Sequence, residues 1–263
     1  VIMILSDLSG TRDETMVKFK EEDVDGTSYT IVSYMIGNSE LWKKPFSLEA
    51  RGITFETDTG KCVSRPFAKF FNVGENVDTQ PEIVKSRFSE VYEKRDGFMV
   101  TPVVTKTGSL WFKTKKSFYS DVANTANKLV TEGVRNICLA CCRVGITPIF
   151  EFTHIDRKIV LDYSPKLNWT LLALRDNDDG SLYPSEFVEC LGDVFGVDVI
   201  PEIDISWGSI LYSVENDTNI EGYVLRLSDG RLAKMKTRWY LSMHRVMTDL
   251  RERDVADAVL NET

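Results

Sequence analysis

Short runs rich in β-branched and aromatic residues, apolar or alternating apolar with polar, recur along the chain: Tyr29 to Tyr34, Gly52 to Glu56, Phe98 to Thr105, Ser109 to Lys113, Pro148 to Phe152, Lys158 to Tyr163, Trp169 to Arg175, Gly222 to Leu227 and Arg231 to Lys236. Each predicts a strand. Thr105-Lys106-Thr107-Gly108 and Ser228-Asp229-Gly230 fall between consecutive runs and predict hairpin turns. Helical stretches are expected over Glu82 to Glu93, Tyr119 to Cys142, Pro184 to Phe195, Ile205 to Glu215 and from about Trp239 to Leu260. In the second of these, Val122, Ala126, Leu129, Val130, Val134, Ile137 and Cys141 fall close to the three-and-four spacing of an apolar stripe. Strands joined mostly by hairpins, with helices placed irregularly between them, predict an α+β fold of antiparallel sheets flanked by helices. The regular strand-helix alternation of a doubly wound sheet is absent.

Composition narrows the class. With 263 residues, 43% of them hydrophobic and 11% aromatic, the chain can bury a real core. No apolar run approaches the ~18 residues of a membrane span. Val1-Ile2-Met3-Ile4-Leu5 is too short for a secretory signal core and lacks a basic flank. Five cysteines, an odd number, fit reduced thiols and a cytoplasmic location. Cys138, Cys141 and Cys142 lack a second ligand pair at metal-binding spacing, and His154 and His244 lie in unrelated segments, so buried thiols are expected. A net charge of -8, from 32 basic and 40 acidic side chains, opposes a polyanionic partner unless the cations cluster.

Several segments could carry chemistry. In Glu93-Lys94-Arg95-Asp96-Gly97-Phe98 a lysine, expected at a helix-to-strand junction, precedes an Asp-Gly turn. Lysine becomes a nucleophile when neighbouring positive charge or desolvation promotes loss of its proton, and Arg95 supplies one such charge. Gly97 would let the backbone approach a nucleotide, and Asp96 can fix the turn. By itself, a lysine before Asp-Gly is more often solvated surface. Glu221-Gly222 opens a strand, and Lys234-Met235-Lys236 follows the next hairpin. Alternation places the two lysines on one face, as a phosphate clamp or as the guard of an edge strand, with Met235 toward the core. Lys113-Thr114-Lys115-Lys116 repeats the same-face pair. In Ile149-Phe150-Glu151-Phe152 the phenylalanines share one face, so Glu151 points to the other, where it needs a salt bridge, a metal or a ligand hydroxyl. Arg51, in Glu49 to Glu56, opens a strand and says little alone.

Taken in order, these segments resemble the covalent nucleotidyltransferase superfamily of ATP-dependent ligases and capping enzymes. Lys94-Arg95-Asp96-Gly97 looks like the motif with the nucleotide-accepting lysine, Phe150-Glu151-Phe152 like motif III, Glu221-Gly222 like motif IV and Lys234-Met235-Lys236 like motif V. The flanks are similar to the RNA ligase 1 family of T-even bacteriophages, the tRNA-repair ligases: Arg51 to Glu56, Ser64 to Asn72, Phe112 to Lys115, Arg157 to Val160 and Trp239 to His244. The resemblance implies an ATP-grasp-like nucleotidyltransferase fold and an RNA-joining reaction that uses ATP and Mg²⁺, with Mn²⁺ as an alternative. It implies catalysis by Lys94, Glu221, Lys234 and Lys236, with Lys94 accepting AMP. ATP would be bound by Tyr34, Arg51, Lys69, Lys94, Lys115, Glu151, Lys234 and Lys236. Glu221 would hold the metal, in part through water, with Asp96 as a second metal contact, and Tyr240 would support the motif V strand. The implied partners are single-stranded RNA or tRNA ends, with no membrane and no obligate protein partner.

Arg95 stands where the family commonly has an acidic residue, and Lys116 where it has a glycine. Residues 1–244 would form the adenylyltransferase domain and 245–263 the start or remnant of a C-terminal helical region, and a chain that opens on Val1 without a methionine suggests processing or trimming. A DNA-sealing or capping-type enzyme is an alternative against which Arg51 and the Ser64 to Asn72 segment argue. An inert nucleotide- or RNA-binding module is another, opposed by the presence of every motif residue. The charge is unevenly spread: acidic side chains crowd Asp13 to Asp25 and Asp249 to Glu262, whereas the motif segments carry Lys94, Arg95, Lys113, Lys115, Lys116, Lys234, Lys236 and Arg238. These cations are expected to converge on one basic site.

Overall fold

The computed structural model describes residues 3–11, 15–153, 161 and 169–248. In chain order the strands are β1 (Val17–Val24), β2 (Thr27–Tyr34), β3 (Arg51–Glu56), β4 (Cys62–Ser64), β5 (Phe71–Asn72), β6 (Phe88–Glu93), β7 (Phe98–Val104), β8 (Leu110–Lys113), β9 (Ile146–Phe152), β10 (Trp169–Asp176), β11 (Gly222–Leu227) and β12 (Leu232–Lys236). The helices are α1 (Ser39–Trp42), α2 (Pro81–Arg87), α3 (Asp121–Lys128), α4 (Glu132–Arg143), α5 (Ser185–Phe195) and α6 (Trp207–Asn216), with a further helical run over 238–248. They form two compact units, each assembled from segments distant in sequence: 1–70, 98–152 and 167–200 in the first, and 71–97, 153–166 and 201–263 in the second.

The first unit holds two antiparallel sheets, ordered β1-β2-β3-β4 and β10-β9-β7-β8. Tyr29 and Ile31 of β2 pack with Val103 of β7 and with Phe118, which joins the sheets through a shared apolar layer. On the second sheet, Phe150, Phe152 and Trp169 meet Val134, Ile137, Cys138 and Cys141 of α4. The three thiols of that helix are free and burial pushes them all up, with Cys141 at about 11, so they pack as apolar groups. In the second unit the sheet order is β5-β12-β11-β6, with β5 parallel to β12 and the other pairs antiparallel. Its core gathers Val84 of α2, Val91 of β6, Tyr223 and Leu225 of β11, Ala233 of β12 and Ile210 of α6.

Several sequence expectations change. The helix expected over Glu82 to Glu93 ends at Arg87, and Phe88–Glu93 is strand β6, paired with β11. Val84, Phe88 and Val91 mimic a helical stripe, but pairing with β11 overrides that local period. Lys94 therefore follows a strand rather than a helix. The stretch from Tyr119 to Cys142 is two helices: α3 stops at Lys128, and Thr131 caps α4 by accepting the Val134 amide. The break leaves Leu129 exposed instead of on the stripe. Strand β1, too charged to show alternation, is held by its hairpin through Asp25 and Gly26, both with positive φ. The strand expected over Lys158 to Tyr163, apart from Leu161, and the helix beyond residue 248 lie outside the described residues. No helix among the described residues is long and apolar enough to cross a membrane.

Candidate active site

In the second unit the site is built on the β6-β11-β12 ladder. Lys94 directly follows β6 and donates its amide to the Gly222 carbonyl at 2.8 Å, extending the strand pairing by one residue. Glu221 precedes β11, and the register sets Gly222 opposite Lys236 on β12. A single carboxylate oxygen, Oε1 of Glu221, then takes the ammonium groups of Lys94 at 3.0 Å and Lys236 at 2.9 Å. The Glu221 side chain is 3% exposed, against 22% for Lys94 and 24% for Lys236, so a buried anion is flanked by two cations that still reach solvent.

Gly222 makes this approach possible. Its φ is +145°, and a Cβ there would lie 1.9 Å from the Met235 carbonyl oxygen. Met235 itself packs in the core, while Lys234 and Lys236 share the opposite face, as alternation predicted. The Lys236 ammonium lies 4.7 Å from the centre of the Tyr240 ring. Tyr240 donates its hydroxyl to Oδ1 of Asp96 at 2.7 Å, and the Leu161 amide donates to Oδ2 at 2.8 Å. Asp96 is thus a brace for the turn after Lys94, with both oxygens engaged by the protein. Arg95 is turned to Glu93 at 3.5 Å, so the partner of Lys94 is a carboxylate and not the neighbouring arginine. Among the described residues no group of three histidine, cysteine or acidic side chains could enclose a metal. Mg²⁺ commonly keeps several waters and takes one or two carboxylates, so a single carboxylate such as Glu221 could hold it through its second oxygen.

In the first unit Tyr34, Arg51, Lys69, Lys115 and Glu151 form a second cluster. The Arg51 guanidinium lies 5.0 Å from the Phe70 ring centre and donates to the Ala68 carbonyl at 3.4 Å. Lys69 donates to the Phe70 carbonyl at 3.1 Å, and the Lys115 ammonium sits 3.2 Å above the centre of the Tyr34 ring. Burial lowers the Arg51 pKa against the opposing charges of Tyr34 and Glu151. The Lys115 pKa falls to about 8, through burial first and then the charges of Arg51, Lys116 and Lys69. Glu151 is buried on β9, on the face opposite Phe150 and Phe152, as expected. Lys113 does not share the solvent face expected for it: β8 ends there, its side chain is fully buried, and its Nζ donates to the Gly52 carbonyl at 2.5 Å.

Sequence reasoning missed the scaffold under this cluster. Glu49 accepts from Arg65 at 3.0 Å and from Arg175 at 2.8 Å, all three nearly buried. Burial pushes the Glu49 carboxyl up, but the two arginines outweigh it and hold it below the usual range. Arg65 also donates to the carbonyls of Asn177 and Asp178, and Arg175 to that of Pro66, which fixes the loop leading to Lys69. Arg175 at the end of an apolar strand was a signal of the same kind as Glu151.

The sequence profile of the RNA ligase family of the T4 RNA ligase 1 type matches residues 49–243. A putative RNA ligase of Thermovibrio ammonificans is 31% identical over 227 residues, 83% of this chain and 59% of that protein. RNA ligase 1 of bacteriophage TS2126 is 27% identical over 241 residues, 86% of this chain and 59% of that protein. The chain thus spans 59% of the length of each of these relatives. An archaeal ATP-dependent RNA ligase superposes with a TM-score of 0.55 at 13% identity, covering 85% of this chain and 59% of that one, a likeness of fold.

Proposed function

We propose, from the premise that the chain belongs to the RNA ligase family of the phage RNA ligase 1 type, that it joins RNA 5′-phosphate and 3′-hydroxyl ends at the expense of ATP. The observation that carries this reading is the pairing of Lys94 and Lys236 on one oxygen of the buried Glu221. A lysine held on a buried carboxylate, on strands whose approach requires a glycine, is fixed in position and is not a solvated surface group, and the second ammonium beside it, that of Lys236, opposes retention of both charges.

Three transfers follow. The Lys94 ammonium gives a proton to water, and the amine attacks the α-phosphorus of ATP; an N–P bond forms, the bond to pyrophosphate breaks and the nitrogen releases a second proton to water. An oxygen of the RNA 5′-phosphate then attacks the same phosphorus, the N–P bond breaks and the amine recovers a proton. Finally the 3′-hydroxyl attacks the 5′-phosphorus, loses its proton and releases AMP. Positioning and charge neutralisation supply most of what such transfers require. Glu221 orients Lys94, Lys234 and Lys236 neutralise the triphosphate, and Arg51, Lys69 and Lys115 take phosphate oxygens, while Glu151 binds ribose hydroxyls. Mg²⁺, bound through Glu221 and its own waters, would add positive charge on the phosphates. Repair of broken tRNA ends in the cytoplasm is the setting we assign; the free, buried thiols of α4 suit a reducing compartment.

The test is incubation with ATP labelled on the α-phosphate. The wild-type chain should retain label through denaturation and Lys94→Ala should not; absence of an adduct at every Mg²⁺ and Mn²⁺ concentration would overturn the reading. Labelled GTP should give no adduct, and 5′-phosphorylated RNA should be joined in preference to DNA.

A further inference from the structure

Lys113 is a fully buried lysine that the proposed reaction does not use. Retaining an ammonium in an apolar interior is costly unless its protons are well bonded, and buried charges with no structural necessity are often replaceable by apolar residues of similar size. Burial lowers its pKa to about 7, opposed by the charge of Glu22. Such a group calls for an explanation at the place where its nitrogen points.

That place is a β-bulge. In the pairing of β2 with β3, Val32 faces Ile53 and Ser33 faces Arg51, so Gly52 is skipped. Its φ is +96°, which favours glycine. The Gly52 carbonyl accepts from Lys113 Nζ at 2.5 Å and from Thr54 Oγ1 at 3.1 Å. A Cβ on Gly52 would lie 2.9 Å from both Cα and the carbonyl oxygen of Lys115, so the two backbones are nearly in contact. The bulge therefore sits between Arg51 and Lys115, and the Lys113 ammonium fastens one segment to the other. Without the bulge, Arg51 would shift register and its side chain would change faces.

We infer that Lys113 is a positioning residue: by bonding the Gly52 carbonyl it fixes the bulge, and so holds Arg51 and Lys115 in the geometry that receives the phosphates of a nucleoside triphosphate. The inference rests on the RNA-ligase reading above. Lys113 touches no substrate and acts through its two neighbours.

The experiment measures lysyl-adenylate formation by the full chain against ATP concentration, for the wild type, Lys113→Met and Lys113→Gln, beside their thermal melts. Met fills the space without a donor, and Gln keeps a shorter donor. Lys113→Met should raise the ATP concentration for half-maximal adenylylation about tenfold while the maximal rate stays within about twofold, and Lys113→Gln should fall between. The melting temperature of Lys113→Met should equal or exceed that of the wild type, because a buried charge has been removed. Unchanged half-saturation in both variants would overturn the inference, as would a lower melting temperature with no change in half-saturation. Failure of both variants to fold would also overturn it, by making Lys113 part of the fold and not of the site. If the wild type itself forms no adduct, the ligase reading has failed instead, a result distinct from each of these.

Discussion

Lys115 is a candidate phosphate contact whose charge changes just above neutral pH. Its ammonium is held among Arg51, Lys116 and Lys69 and its pKa lies near 8, so it is charged below that pH and loses its charge above it. Attraction to a triphosphate should follow the charged form. Half-saturation for ATP in adenylylation should therefore rise as pH increases from about 7 to about 9, and Lys115→Met should flatten that limb while weakening affinity at neutral pH. A wild-type profile as flat as that of Lys115→Met would contradict the assignment. Lys115 and Lys113 also show how far single residues can be read from sequence. Alternation correctly placed Lys234 and Lys236 together because β12 runs through both. The same rule failed for Lys113 and Lys115 because β8 ends at Lys113, and nothing local says that a lysine is to be buried. Glu221 was legible as a site residue, but its sharing of one oxygen between two lysines depends on strand register, which pairs residues far apart in the chain.

At the scale of elements, the junction of β11 with β12 governs whether Glu221 and Lys236 can meet. Gly222→Ala places a methyl group 1.9 Å from the Met235 carbonyl in the undisturbed structure, at a φ that side chains avoid. The strands must separate locally, and Glu221 moves with them. Adenylylation should fall by about a hundredfold, the scale expected when a positioning group shifts by about 1 Å. Circular dichroism should still report a folded chain, since the rest of the β11-β12 ladder remains; wild-type rates in Gly222→Ala would show that the close approach is dispensable. The elements that the sequence revealed best were those whose partners are near in the chain, such as β7 with β8 and β11 with β12. Those it hid were set by distant partners. Phe88 to Glu93 could continue a helix until β11 is available to pair with it, and the polar β1 is a strand because β2 returns beside it.

For the whole molecule, the net charge of -8 conceals a local excess of cations. The first unit gathers Arg51, Lys69, Lys115 and Lys116 closely enough to lower the pKa of one member, and the second sets Lys94 and Lys236 around one acid. Affinity for an RNA strand should come from such clusters and not from the sum. Joining of 5′-phosphorylated RNA should accordingly weaken as salt rises from about 50 to about 200 mM, with a linear fall of log affinity against log salt. Binding indifferent to salt would argue that RNA is held by other means.

The sheet of the second unit has a consequence in time as well as in space. Lys94 on the end of β6 and Glu221 at the start of β11 are more than a hundred residues apart, and the intervening chain builds most of the other unit. On the ribosome, where synthesis runs from the N-terminus, the amine emerges long before the carboxylate that holds it. Loop closure over such a length is slow relative to local pairing, and the parallel contact of β5 with β12 closes a longer loop still. The growing chain thus carries Lys94 without its partner acid until β11 and β12 have been made, so the ion pair proposed for the reaction is completed late in synthesis.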